Sequence, residues 1–557
     1  MPTTTTTTVD TPNNIQYDFS GGMNLFADDI NLATNEYGLS FNVRNRQSGL
    51  SPVKAPIKDP TIPNGKKQGL YIFDRYAICF VGGYAYYKNI ILNSAWTRIA
   101  NLVVDPTVDY IYVQVVPAST FNFRRVLKDP NQITGTTTQQ AINSINIVAT
   151  PTVSGLVVQD GINQPWIIFA DGTSRRIQTY DKWSFNQDTN EDNREYVPIM
   201  KQMIFTSTGI LIGISPDGTT IYRSVSGRPI DFVVNVDVNG NKGGDATTTS
   251  HAVGYSVINC IATLDSGNIL IGTELVTFIL SLDYTQTIFD EPTFDTIQTY
   301  AVGVVNQFSF LNVIRPDGNP FNYFVDFDGM RTFGSGTLDD NNEGRNTVFT
   351  SNIHRALAIK QSLTCAVVFD NYSIFSVKTI YSNLNLVIIY DNLRQQWVAI
   401  DSYLLTGSIK QFAVATQSSN PTLYAITDDN FLYSLFSSDS YLLSDASFKA
   451  NITGSASQQL KLLDIRTIFS DGTLAGITYA LDYTDTKLTT QVANSLSGNG
   501  LDNLRFNFNR QATIGWKIVP RIQWQTDARL SLIEVNAAPQ NQKTPMAQQI
   551  NRYASNS

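Results

Sequence analysis

Two histidines, His251 and His354, and three cysteines, Cys79, Cys260 and Cys365, are all that this chain offers for imidazole or thiolate chemistry. A Ser/His/Asp or Cys/His arrangement would have to recruit one of the two histidines, and each lies in a polar, loop-like context with no nucleophile elbow nearby. Both read as ordinary surface residues. Zinc catalysis needs several nitrogen or sulfur ligands, and no metal-ligand spacing occurs. The cysteines sit far apart in the apolar runs "AICFV", "INCIA" and "LTCAVVF". Odd in number and scattered, they fit buried small hydrophobes better than a disulfide framework.

Carboxylates are the remaining catalytic route, because some propellers cleave glycans with acidic pairs or a tyrosine nucleophile. "TLDSGNIL" approaches the Asp-box turn of sialidases but ends in Leu where an aromatic is usual, and "SPDGTTIY" omits one residue of the spacing. Such boxes are folding turns and do not locate an active site. The glycine-rich "GGMNLF" and "GNKGGD" lack the lysine and the strand-turn-helix setting of a phosphate loop. Aromatics interleaved with cations in "FNFRR" and "RFNFNR" could stack on nucleotides or sugars, but alternate aromatics also simply fill one face of a strand. No catalytic set, cofactor or metal is expected, and the chain reads as a non-enzyme.

Charge narrows the partners. The net charge is −8 with a pI near 5.0, so the molecule as a whole has no electrostatic reason to hold nucleic acid. Two local basic clusters stand out: Arg44, Arg46, Lys54, Lys58, Lys66 and Lys67, faced only by Asp59 in the same span, and Arg124, Arg125 and Lys128. They are candidate contacts to other subunits or to an adaptor, or else a solvated face. Charged residues make up 15%, below the ~25% of typical globular chains, so the polar surface must rest on Asn, Gln, Ser and Thr, which suit turns and strand faces. No run of 18 apolar residues occurs, and "MPTTTTTTVDTPNN" lacks the basic start and apolar stretch of a signal peptide. Membrane insertion is not expected.

The elements that would carry any site are strands. From about residue 68 one phrase recurs: a β-rich run, a turn with Gly, Asp or Asn, and a second β-rich run, as in "QPWIIFADGTSRRIQTY" and "TLYAITDDNFLYSLF". The turn residues Asp171, Asp217, Asp265, Asp328, Asp370 and Asp429 are 46, 48, 63, 42 and 59 residues apart. That rhythm straddles the ~40–50 residues of a four-stranded propeller blade. The expected fold is all-β, an irregular β-propeller of six or seven blades with loop insertions and a C-terminal antiparallel β-sandwich. The chain divides into an N-terminal arm at 1–19, flexible or ordered only against a partner, a lead-in segment with an edge strand at 20–67, a propeller body at 68–440, a sandwich at 455–537 and a polar tail at 538–557. Insertions are expected at about 101–150, 233–255 and 284–315.

The lead-in segment "GGMNLFADDINLATNEYGLSFNVRNRQSGLSPVKAP" begins with a glycine pair that permits a sharp bend. It resembles the N-terminal signature of the tail nozzle proteins of short-tailed bacteriophages, also called tail tubular protein B or muzzle proteins. There a Gly-Gly pair precedes an acidic-polar stretch ending in Asn, then an Arg-containing strand and a Gly turn with Pro close behind. The matching positions are Gly21, Gly22, Glu36, Asn42, Arg44, Gly49 and Pro52. "IYRSVSGRPIDF" resembles a second phrase of that family through Tyr222, Ser224, Gly227, Pro229 and Phe232, with Arg228 and Ile230 where acidic residues are frequent.

The resemblance implies a virion tail protein made in the host cytoplasm. It would form a six-fold ring around a channel through which genome and ejected proteins pass. The ring would dock on an upstream adaptor or ring protein, with tail fibres as further partners, and DNA would transit without specific binding. An acidic or neutral lumen would keep phosphates from adhering. The competing expectation is a carbohydrate-binding or glycan-cleaving propeller, which predicts a monomer or small oligomer and measurable glycan affinity.

Overall fold

Apart from one or two residues within some ranges, the computed structural model describes residues 13–116, 154–169, 197–224, 229–230, 232, 257–282, 294–314, 353, 365–378, 385–416, 421–452, 514–515 and 517–540, together with the strands named below between them. Seven antiparallel sheets, with two smaller ones between them, follow one another along the described residues from 67 to 435. The first is built from Lys67–Phe73, Tyr76–Val81, Tyr84–Asn89 and Thr97–Val103. The second uses Tyr112–Val116, Gly155–Gln159, Trp166–Phe169 and Ser174–Arg176. Gln202–Phe205, Leu211–Ile214, Thr220–Arg223 and Thr247–Ser250 make the third. The fourth consists of Ile258–Thr263, Ile269–Thr273, Thr277–Leu282 and Phe294–Tyr300. The three-stranded fifth is Leu311–Ile314, Pro320–Asp326 and Gly329–Gly334. Cys365–Phe369, Tyr372–Lys378, Asn385–Asp391 and Gln396–Asp401 form the sixth.

The seventh sheet closes the series. Its strands Ile409–Ala415, Thr422–Thr427 and Leu432–Leu435 are completed by Ile57–Lys58, taken from the other end of the chain.

Period-two alternation explains why these sheets stand side by side. Ile212 and Ile214 point into an apolar cluster shared by the third and fourth sheets, while Leu211, the residue before them, points into the cluster shared with the second. The fourth sheet repeats this, with Ile269 and Ile271 on one face and Leu270 on the other. Polar links run between neighbours at the inner strands: Gln202 Nε2 donates to Asn259 O at 2.6 Å, and Ser376 Oγ to Ile409 O at 3.1 Å. Gln411 shuts the ring by bonding both the N–H and the carbonyl of Leu70, each at 2.9 Å, so the seventh sheet meets the first. This is an irregular β-propeller.

Two further layers pack beside the sixth sheet. One runs Asp502–Asn507, Gln459–Ser470, Arg529–Gln540, Gly49–Pro52 and Val43–Arg46, with Asn13–Gln16 also along Arg529–Gln540. The other extends the sixth sheet itself: Gln396–Asp401 pairs with Ser40–Phe41, which pairs with Ser444–Ser447, followed by Lys517–Trp524, Thr478–Asp482 and Gln491–Val492. Phe469 and Trp524 meet edge to face between the layers at 5.9 Å. The C-terminal layers expected at 455–537 also take in four N-terminal strands, which are woven into them.

The expected insertions also change. Phe294–Tyr300 and Leu311–Ile314, read as parts of an insertion at 284–315, are the outer strand of the fourth sheet and the first strand of the fifth. Polar Thr and Gln in "FDTIQTY" resemble loop composition, yet the segment pairs along its length with Thr277–Leu282. Tyr112–Val116, inside the expected insertion at 101–150, opens the second sheet. Phe123–Val126 and Asn146–Ala149 leave it to join Phe185–Asn186 and Glu191–Asn193 in a separate small sheet. At 233–255 a two-stranded piece precedes Thr247–Ser250, which returns to the third sheet.

Candidate functional site

The lead-in segment meets the sixth and seventh sheets and both C-terminal layers, and its motif residues do the joining. Gly22 has φ +75, and a Cβ there would lie 2.4 Å from the Trp397 carbonyl oxygen, so glycine alone fits this approach to the sixth sheet. Tyr37 Oη and Ser40 Oγ both donate to Val398 O, at 2.9 and 3.0 Å. Asn42 occupies the left-handed region at φ 55. Its Nδ2 donates to Leu443 O and its Oδ1 accepts from Ser402 N, both at 2.8 Å, which staples the sixth sheet to the C-terminal layer. Gly49 is pressed against Arg529, and Pro52 pairs with Val43. Glu36 holds the preceding turn by accepting from Ala33 N at 2.9 Å and Asn24 Nδ2 at 3.1 Å.

At the centre of this junction Arg44 donates to both Asp401 oxygens, at 2.9 and 2.5 Å, with the two side chains 7% and 0% exposed. Its guanidinium also lies 5.5 Å from the Tyr372 ring and 5.4 Å from the Phe436 ring. Burial would lower its pKa, but Asp401 outweighs burial and holds it above the ordinary arginine value. Tyr403 donates to Asp401 at 2.7 Å, and burial together with that carboxylate raises the phenol well above its usual range. Neither group is poised to exchange protons near neutrality.

Above this network opens a cleft of about 360 Å³, floored by Val53, Tyr372 and Ile374 and walled by Phe369 and Phe436. The two wall rings stack at 5.8 Å, and Phe436 holds its place at φ 57, a strained conformation for an aromatic residue. Arg46, Lys54 and Asp370 form part of the rim, where Arg46 and Asp370 stand 3.7 Å apart.

The basic positions thus separate. Arg44 and Lys67 are not contacts to neighbours: Arg44 is spent on Asp401, and Lys67, 1% exposed, donates to Pro63 O at 2.6 Å, with burial lowering its pKa. Alternation at the start of a strand turned Lys67 inward. Lys66 pairs with Asp109 at 2.8 Å, while Lys58 sits over the Phe431 ring. Arg46, Lys54 and Lys58 remain at the surface. Arg124 and Arg125 fall in the strand Phe123–Val126, and Lys128 lies outside the described residues.

The second motif does not reach this junction. Tyr222 lies on the third strand of the third sheet, Ser224 bonds Leu211 through both backbone and hydroxyl, and Phe232 is buried between the second and third sheets. Pro229 lies in the turn before Phe232, and Gly227 and both histidines lie outside the described residues. Residues that carry the junction yet gave no sequence signal include Asp401, Tyr403 and Phe436. Gln411 did give one, as a lone amide in the apolar strand "IKQFAVA".

Phe308, in the turn Gln307–Ser309, stacks on Tyr112 at 6.1 Å and meets Tyr110 at 5.1 Å, beside a cavity of about 220 Å³. Near Tyr110, Lys410 is buried with Nζ donating to Asp109 O at 3.1 Å, and burial outweighs the pull of Asp109 to lower its pKa to about 8. Between about 8 and the ordinary 10.5 the unfolded chain therefore binds more protons at this position, so its contribution to stability rises with pH across that window. The stability of the wild type minus that of Lys410→Met should climb from pH 8 to 10.5. A flat difference in denaturation midpoints would refute this account.

The fold defines an all-β propeller with C-terminal layers sewn to it by its own N-terminus. The chain matches no family model and no curated sequence. Among solved structures it is similar to a chain of a mitotic checkpoint complex, at 10% identity and TM-score 0.36 over 71% of this chain and 98% of that one. It is also similar to the N-terminal domain of Nup159, at 9% identity and TM-score 0.34 over 72% and 99%. A third likeness is to a chain of the S. cerevisiae Dbp5 complex with Nup159, Gle1, IP6 and ADP, at 9% identity and TM-score 0.32 over 74% and 99%. Likenesses this loose assign no activity.

Proposed function

We propose that the protein is a structural component of a short-tailed phage virion, the distal tail nozzle, in which copies form a ring-shaped conduit docked on an upstream adaptor or ring protein. One observation carries this reading: Gly22, Asn42 and Arg44 of the nozzle-like signature tie the lead-in segment and the C-terminal layers to the sixth sheet, and Gly49 lets Arg529 pack closely within those layers. Their chemistry is that of a rigid joint and not of a reacting centre. The net charge of −8 per chain supports passage of DNA without adhesion.

The test is symmetry. Negative-stain images of the chain mixed with its upstream partner should show closed rings with a central opening. A lone 61.7 kDa particle under those conditions, with affinity for a glycan, would replace this reading with the carbohydrate-binding alternative.

A further inference from the structure

A ring of more than two copies needs a heterologous contact, in which one surface of each copy meets a different surface of the next. The cleft beside Arg44 supplies one such surface. The other is the tip of the outer hairpin of the first sheet, where Ile91 and Leu92 stand 56% and 77% exposed. They are the only sequence neighbours among the exposed large hydrophobics of the described residues. This tip is preorganised. Asn89 Oδ1 accepts from both Ile91 N and Leu92 N at 3.0 Å, Asn89 N donates to Ser94 Oγ at 2.9 Å, and Asn93 takes φ 46 to complete the turn. A fixed pair of aliphatic side chains in water contributes nothing to the fold of its own copy, and rigidity lowers the entropic cost of seating it in a partner.

Each surface carries one long, exposed Arg–Asp pair. Arg75, whose carbonyl accepts from Ile90 N at the base of the tip, has Asp74 at 3.9 Å; on the cleft rim Arg46 has Asp370 at 3.7 Å. Both pairs are long and exposed, so each is weakly held and free to exchange partners. When the tip meets the cleft, Arg75 can face Asp370, and Arg46 can face Asp74. Resting on the ring reading above, we infer that Ile91 and Leu92 of one copy seat against Phe369 and Phe436 of the next, so that the cleft is the socket of the subunit interface.

Single-cysteine exchange tests this. Cys79, Cys260 and Cys365 are buried, so new surface thiols report alone. Leu92→Cys chains mixed with Lys54→Cys chains under mild oxidation should give a mixed dimer, and a chain carrying both should give a ladder of oligomers. Leu92→Asp should weaken self-association by at least about tenfold while leaving the unfolding midpoint unchanged. Wild-type rings whose cysteine variants fail to cross-link would overturn this contact and leave the ring reading intact. Chains that stay single even with the upstream partner present would overturn both.

Discussion

Arg44→Met is expected to lower the stability of the folded chain by about 3–5 kcal/mol, because it strips the partner from a carboxylate that has no access to water. Asp401 is fully buried and receives two bonds from Arg44 and one from Tyr403. With the guanidinium gone, the Tyr403 hydroxyl alone faces the charge, and the cleft floor loses the cation held between Tyr372 and Phe436. Trp397 and Trp524 lie in the same core, so their fluorescence reports the transition in urea. Two comparisons separate charge from packing. Arg46→Met, at an exposed and long pair, should stay within about 0.5 kcal/mol of wild type. Adding Asp401→Leu to Arg44→Met should recover a large part of the loss, since an apolar pair of similar volume replaces a buried ion pair at little cost. If Arg44→Met unfolds at the wild-type midpoint, the junction is not held as described here.

Gly22→Ala should cost about 2–4 kcal/mol, the sum of a left-handed backbone imposed on an L side chain and of crowding in a packed site. The methyl carbon would stand 2.4 Å from the Trp397 carbonyl, a backbone atom of the sixth sheet that cannot rotate away. Gly82 isolates the first contribution. It has φ 56 but nothing within 4 Å of a would-be Cβ, so Gly82→Ala should lose only about 1–2 kcal/mol. Equal midpoints for the two variants would show that the lead-in segment is not pressed onto the propeller at this position.

The hairpins, the all-β class and the buried cysteines were legible because each is a local property: alternation, turn chemistry and apolar flanks lie within a dozen residues. The rhythm of turn aspartates was looser than it looked. Asp217 and Asp429 sit between the second and third strands of their sheets, but Asp370 sits between the first and second of its own. Their spacing therefore mixes unlike turns. The junction was half legible. Arg44 and Asn42 could be picked out by pattern, yet Asp401 lies more than 350 residues away in an unremarkable "AIDSYLL", and only the pairing of Ser40–Phe41 with Gln396–Asp401 brings them together. Lys67 misled for a related reason, since a cation in a basic run looks solvated until the register of its strand is known.

The completion of the seventh sheet by Ile57–Lys58 bears on how the molecule comes into being. A ribosome delivers those two residues early, and the edge they must cover, Leu432–Leu435, emerges some 370 residues later. At ~5–20 residues per second the nascent segment waits on the order of twenty seconds to over a minute with its pairing groups bare. Maturation is thus coupled to the arrival of the last sheet, and premature release of truncated chains should leave aggregation-prone, unsealed bodies in the cell.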